Sequence, residues 1–299
     1  MIRLLVPLLG LVASLGDSGG PPRQPIMAIA VTADVAVRIY NLVGTTRVTG
    51  WDRDSIVVFA TIPPRAGSFF GGGRGAFAKL GIEGQDPSLA GPGSDLEVRV
   101  PRGARVWIKS ASATVDLHDL GGEVEVTSVT GAIHLEGSPR VTTLESIDGD
   151  LTIAGAATVI RARTGAGAVT VTGARGDLAV STVQGPVTIT SDQLLSARIE
   201  SVSGTVRFTS GVPADGLLDI VTHDGDVRLL LPATTDARFD LSTVKGTIAT
   251  GLPGRPAAAA GEHSVRFAVG KKAGVGRGAG ITVRTFSGRI AVDSNPGGG

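Results

Sequence analysis

One short phrase recurs along this sequence and restricts its fold more than anything else in it. Serine or threonine, two residues, then glycine, is flanked on both sides by alternating apolar residues. Copies start at Ser128, Ser146, Thr164, Thr182, Ser201, Thr222, Thr243 and Thr285, with glycines at Gly131, Gly149, Gly167, Gly185, Gly204, Gly225, Gly246 and Gly288. The first steps are 18 residues each, followed by steps of 19, 21, 21 and finally 42. Ser110 heads a degenerate copy with Ala113 in place of glycine, and Asn41-Leu42-Val43-Gly44 reads as an early copy headed by asparagine. Such self-similarity marks stacked repeats, each too small to bury its apolar face alone.

The flanks alternate with period two, the pattern of a strand with one buried face. Inward pairs run from Val124/Val126 to Ile281/Val283 before the motif, and from Ile133/Leu135 to Ile290/Val292 after it. Each unit therefore holds two short strands joined at Ser/Thr-x-x-Gly. A two-residue hairpin at that joint needs positive φ at its centre. The first central residue is Val129, Ile147, Gly165, Val183, Val202, His223, Val244 or Phe286, and branched or bulky side chains resist positive φ. These residues are expected to face inward at a corner, with the glycine supplying the one unusual backbone angle. The Ser/Thr hydroxyl is expected to bond backbone groups that the bend leaves open.

The predicted fold class is all-β: a single-stranded parallel β-solenoid (β-helix) with coils of about 18–21 residues and like residues stacked about 4.8 Å apart. About nine or ten such units make a rod of roughly 45 Å. In that register Glu145 lies over Arg163 and Arg198 over Asp219, pairings that suit an exposed sheet. Composition agrees: 44 of 299 residues are glycine, about twice the usual share, and aromatics are 4%. A net charge of +1 argues against a nucleic-acid partner, and a chain without cysteine forms no disulfide.

The opening MIRLLVPLLGLVASLGDSGG reads as a secretory signal peptide, residues 1–19. Its apolar run is shorter than the ~20 residues of a membrane span. The expected organisation is this signal, a solenoid domain over 27–294, irregular insertions at 65–94 and 251–280, and a disordered tail at 295–299. The first insertion reads as a long flexible loop, and both insertions are where binding is expected. The location expected is extracytoplasmic: periplasm, cell surface or secreted, with no transmembrane span in the processed chain.

Catalytic and metal chemistry find little support. Gly16-Asp-Ser-Gly-Gly20 copies a serine-protease nucleophile motif but lacks the preceding His and Asp of that family's order. His118, His134, His223 and His263 have no zinc-site spacing. Asp148-Gly-Asp150 and Asp224-Gly-Asp226 belong to non-adjacent coils and read as turns with flanking acids rather than calcium ligands. No catalytic, metal or cofactor-binding residue is assigned, and no cofactor is expected. The candidate ligand contacts are Lys271, Lys272 and Arg277, a small basic cluster suited to an anionic glycan, together with Arg74 in the first insertion. Thr170/Thr172 and Thr188/Thr190 form a short outer threonine array, explained by strand preference.

Several signatures, in order, resemble a bacterial family named "putative adhesin", a domain of unknown function built of β-strand repeats. They are Val48-Thr-Gly-Trp51-Asp, Leu96-Glu-Val-Arg-Val-Pro101, the Ser/Thr-x-x-Gly coils, Leu229-Leu-Leu-Pro232 and Ile281-Thr-Val-Arg-Thr-Phe-Ser-Gly288-Arg-Ile. The resemblance spans about residues 30 to 293 and implies an exported or surface β-solenoid with no catalytic residues to carry across. The function expected is an exported, non-enzymatic, adhesin-like binding or scaffold module of the cell envelope or surface, its partner a glycan or protein that the sequence does not name. A polysaccharide-acting enzyme on a β-helix is the alternative, and an ice-binding protein the minor one.

Overall fold

The computed structural model describes residues 24–88, 91–252, 261–271, 273 and 278–295. Among them the chain forms twenty-four strands and no α-helix. The signal-peptide reading, the Gly16–Gly20 motif, Lys272, Arg277 and residues 296–299 of the expected tail lie outside the described residues.

The N-terminal end is built from β1 (Met27–Tyr40), β2 (Gly44–Trp51), β3 (Ser55–Thr61), β4 (Ser68–Glu83) and β5 (Ser94–Pro101). Coils follow that place one strand in each of two sheets. They are β6 (Arg105–Lys109) with β7 (Thr114–His118), β8 (Glu123–Thr127) with β9 (Ile133–Glu136), β10 (Val141–Glu145) with β11 (Leu151–Ala154) and β12 (Val159–Thr164) with β13 (Val169–Thr172). Then come β14 (Asp177–Thr182) with β15 (Val187–Gln193), β16 (Ser196–Ser201) with β17 (Val206–Gly211) and β18 (Leu217–Thr222) with β19 (Val227–Pro232). The C-terminal end holds β20 (Ala237–Thr243), β21 (Ile248–Gly251), β22 (Ser264–Val269), β23 (Ala279–Thr285) and β24 (Ile290–Asn295).

From β8 to β19 every strand pairs in parallel with the strand two before it. Ile160, Leu178, Ala197 and Leu218 stack in one row, and Val169, Val187, Val206 and Val227 in another. The chain is the expected β-solenoid. Every inward pair read from the alternation is buried, in one core cluster running from Val31 to Val292. Glu145 lies beside Arg163, with Nη1 3.4 Å from Oε1. Arg198 lies beside Asp219 but bonds Glu200 on its own strand, and Glu200 first, then Asp219, raises its guanidinium above the ordinary value.

At the Ser/Thr corner the hydroxyl oxygen accepts the N–H of the glycine three residues on. The distance is 3.1 Å from Gly131 to Ser128, 2.8 Å from Gly149 to Ser146 and 3.0 Å from Gly185 to Thr182. The next carbonyl then holds the following coil: that of Val129 accepts the N–H groups of Ile147 (3.1 Å) and Asp148 (2.8 Å), and that of Ile147 accepts those of Gly165 (2.8 Å) and Ala166 (3.0 Å). Two expectations about this corner are corrected. None of the glycines of the eight Ser/Thr-headed copies has positive φ, although Gly44 of the early Asn41 copy does (φ +116°); in the middle coils those angles belong to the opposite corner, at Gly137, Gly155 and Gly173. The motif glycine is needed for close approach instead: a Cβ on Gly167 would sit 2.1 Å from the Gly149 carbonyl oxygen, and one on Gly185 1.8 Å from that of Gly167. The residues after the Ser/Thr also do not face inward. Val129, Ile147, Val183, Val202 and Val244 are exposed, because the Ser/Thr takes the inward place in the alternation.

The ends depart from sequential stacking. β1 is split: Met27–Ala30 pairs antiparallel with β3, while Ala36–Tyr40 lies between β4 and β6, parallel to both. β2 likewise lies between β5 and β7, and β3 runs antiparallel on β5. The described residues of 65–94 are therefore not one long flexible loop. They carry β4, which turns back at Gly75 (φ +59°) so that Gly73 meets Phe77 and Gly67 meets Glu83. Gln85 closes the first corner, accepting the Leu42 N–H at 2.6 Å and donating to Asn41 Oδ1 and the Val43 carbonyl. Residues 251–280 carry β22, antiparallel on β20. The coil of β23 and β24 does not stack last: it sits between the β18/β19 coil and the β20/β21 coil. The step of 42 residues is this return of the chain into the stack.

Candidate functional site

Of the residues marked by the sequence for ligand contact, the two that are described lie at opposite ends of the rod. Arg74 is exposed at the turn of β4, at the N-terminal end, and Lys271 is exposed beyond β22, at the C-terminal end. The acids beside the corner glycines have a structural task. Asp150 Oδ1 accepts the Ala168 N–H and Asp226 Oδ1 the Arg289 N–H, each at 2.8 Å, so they hold the next coil's corner. Among the described residues no three His, Asp or Glu side chains cluster as metal ligands would. His118 Nδ1 lies 3.5 Å from Glu136, and His134 stacks between Asp116 and Thr152. The threonine array sits in register as read, bounded by Thr152/Ala154 and Arg207/Thr209.

Three surfaces stand out instead. The first is the exposed corner row. Along the rod it carries Val129, Ile147, Gly165, Val183 and Val202, then His223, whose ring stacks on Phe286 at 4.7 Å, and Val244. Lys245 Nζ lies 5.0 Å from the Phe286 ring. The signal for this row was available as parity: Val180 and Thr182 face inward, so Val183 must face out.

The second is the outer face of β4, β1 and β6. Seven of the eleven aromatic residues lie between Tyr40 and Trp107, and none of the seven is buried. Tyr40 packs edge-on against Trp107 at 5.3 Å and tilted against Phe70 at 6.2 Å. Lys79 Nζ lies 5.1 Å from the Tyr40 ring and 5.7 Å from that of Phe70, and Arg38 lies 5.7 Å from the Phe77 ring. The Trp107 indole N–H donates to Glu125 at 3.0 Å, which fixes the ring's orientation. This face could not be read from local pattern, because it depends on β1 lying between β4 and β6.

The third is an open groove of about 1020 Å³ at the corner opposite the Ser/Thr motif, lined by residues such as Thr172, Thr190, Thr209, Gln193, Thr234 and Asn295. Its origin is local. Gly137, Gly155 and Gly173 turn the tight early corners with positive φ. Ser191 stands at the equivalent place in the next coil, and from there the step lengthens from 18 to 19 and then 21 residues. The longer loops make the groove's wall. Its charged lining is Asp192 and Asp236, the latter accepting the Ala273 N–H at 2.6 Å.

The family model described as Toastrack DUF4097 matches residues 88–293, which takes in the whole run of sequential coils and leaves β1 to β4 outside the match. Among solved structures, a "putative cell adhesion protein" from Clostridium sporogenes ATCC 15579 aligns with 91% of this chain and 100% of its own at 9% identity and a TM-score of 0.23. No curated protein matches.

Proposed function

The chain belongs to the Toastrack DUF4097 family, and from that premise we propose that it is an exported, non-enzymatic β-solenoid serving as an adhesin-like binding or scaffold module of the cell envelope or surface. Residues 1–19 are its export signal in this reading, 27–294 the exported domain and 295–299 a short tail. No helix among the described residues is long and apolar enough to cross a membrane, a statement that does not bear on crossing by strands.

The observation that carries the reading is the exposed apolar row. Gly165 makes the same backbone bonds at its corner as Val183 does at the next, so the fold needs no bulky apolar side chain there. Single exposed apolar residues are ordinary; five of them at equivalent corners along one edge mark a contact surface.

Cell fractionation with protease shaving tests the proposal, using the parent chain and a Val129→Ser/Ile147→Ser/Val183→Ser/Val202→Ser variant. The parent should sediment with envelope material, and the variant should move to the soluble exported fraction at a melting temperature within about 3 °C of the parent. Retention of both alike, or a parent confined to the cytosol, overturns it. Release of reducing or unsaturated sugar ends by the purified chain overturns its non-enzymatic part.

A further inference from the structure

We infer that the outer face of β4, β1 and β6 binds an acidic polysaccharide, a linear polymer whose sugar rings carry carboxylates. The inference rests on the proposed role as an exported binding module and assigns its ligand class and site. Nine outward positions of the three strands are stacked in register: Phe77, Ala36 and Arg105; Lys79, Arg38 and Trp107; Gly81, Tyr40 and Lys109. They hold four cations, three aromatic rings and no acid.

Elsewhere on the rod several outward charges are paired, as in Arg163 with Glu145, Arg284 with Asp219 and Arg266 with Asp240. Among the described residues Arg38, Lys79, Arg105 and Lys109 have no ion pair. The nearest carboxylates on the sheet are committed, Glu125 to the Trp107 indole and Glu123 to Arg140 at 2.6 Å. In a chain of net charge +1 this is a local positive field, and it attracts an anion.

The rings select among anions. Tyr40 and Trp107 are half-buried and packed edge-on against each other, so they do not project into acyl chains as a membrane anchor's would; Phe77 is exposed, with Arg38 5.7 Å from its ring. Lys79 covers the faces of Tyr40 and Phe70, which a nucleic-acid base would need for stacking. A sugar ring lays an apolar C–H face on the face of an aromatic ring, with cations beside it for its carboxylate. A depression of about 200 Å³ beside Trp107 brings Arg38 and Arg105 to that ring; Glu123 and Glu125 also line it, but they are held by Arg140 and the Trp107 indole.

Affinity electrophoresis of the purified chain through alginate, a linear uronate polymer, tests this, with dextran as the neutral counterpart. The parent should be retarded by alginate and not by dextran, with retardation falling as salt rises from about 0.1 M to about 0.5 M. Arg38→Gln/Lys79→Gln should weaken it about tenfold. Trp107→Ala should weaken it and Trp107→Phe restore most of it, while Arg161→Gln/Arg163→Gln, an equal charge loss further along the same sheet, should stay within about twofold of the parent. No retardation of the parent, an equal loss in the Arg161/Arg163 control, or displacement of alginate by oligothymidylate or phosphatidylglycerol vesicles overturns the assignment. If alginate fails while the corner variant still leaves the envelope fraction, the ligand assignment falls alone. If the corner variant also behaves as the parent, the binding-module reading falls with it.

Discussion

The middle of the rod and its two ends obey different rules. Between β8 and β19 each coil lies on the one just made, every neighbour is parallel, and the only variable is the length of the far corner. At the C-terminal end the chain skips a place, lays down an outer coil and returns to fill the gap. At the N-terminal end it makes the β1/β2 coil first, adds β4 and β5 outside it and crosses to its other side for β6 and β7. At each end an antiparallel strand covers one sheet. The difference follows from edges. An inner coil has both sheets paired on both sides, whereas a terminal coil exposes unpaired N–H and C=O groups that would recruit further strands. At the N-terminus the edges are β1 folded onto β3 and the hairpin of β4. At the C-terminus they are β22 and the four-residue β21. Stacking propagates a solenoid, but ending one takes a different piece of chain.

The comparison breaks most visibly if the last coil is removed. A chain ending at Gly278 loses β23 and β24, which an ordinary solenoid would shed with small effect. Here they lie inside the stack, so the β18/β19 and β20/β21 coils lose their shared neighbour. The melting temperature should fall by more than about 10 °C, and limited proteolysis should cut within the last third of the chain. In the intact chain, hydrogen exchange should protect β23 as well as β18 and leave β22 fast. A truncated chain that melts like the parent would sink the interior placement.

Glycines sharpen the contrast next. In Gly185→Ala the new methyl group meets a backbone carbonyl at 1.8 Å, so the coils must part, and a loss beyond about 4 kcal/mol is expected in chemical denaturation. Gly72 of β4 has nothing within 4 Å of such a Cβ, so Gly72→Ala should stay within about 0.5 kcal/mol of the parent. Equal effects would show that crowding of the middle coils is not what the motif glycine serves.

The sequence made the middle legible because its information is local and repeated. Alternation located the inward pairs from Val124/Val126 onward, and the period set the register that brings Glu145 beside Arg163. The corner was misread through its glycine, which tolerates positive φ but is selected here for lack of a side chain. That error carried Val129 and its equivalents inward against the parity of their own strands. The ends were illegible for a different reason. The aromatic face depends on Tyr40 and Trp107 being neighbours across strands 67 residues apart in sequence, and no local pattern announces that β1 lies between β4 and β6. The cations of that face, Lys79, Arg38, Arg105 and Lys109, sit on regular strands rather than in the irregular segments to which a sequence reading assigns binding.

Within the middle, the hydroxyl of the motif should matter less than its glycine. Thr182 is 4% exposed and accepts the Gly185 N–H at 3.0 Å. Thr182→Val removes the acceptor while keeping the volume and leaves a buried N–H without a partner, a loss of about 1–3 kcal/mol. Thr182→Ser keeps the acceptor and should recover most of it. A valine variant as stable as the parent would mean that the corner is held by its ladder of backbone bonds alone.

The smallest effect has the opposite sign. Thr142 of β10 is fully buried in the inward row between Val124 and Ile160, and its hydroxyl has no hydrogen-bond partner. A buried hydroxyl left unbonded opposes folding by about 1–3 kcal/mol, and exchanging it for a methyl group of similar size removes that penalty without opening a cavity. Thr142→Val should therefore raise stability by about 1 kcal/mol, or the melting temperature by about 2–4 °C. The gain belongs to a stack that is apolar on both sides of this rung. The same exchange at Thr46, which is as deeply buried but receives a hydrogen bond from Asn41 at 3.1 Å at the N-terminal end, should instead destabilise. Thr142 is thus a defect in its middle row and Thr46 a fastening at the end, and two variants that moved together would erase the distinction between them.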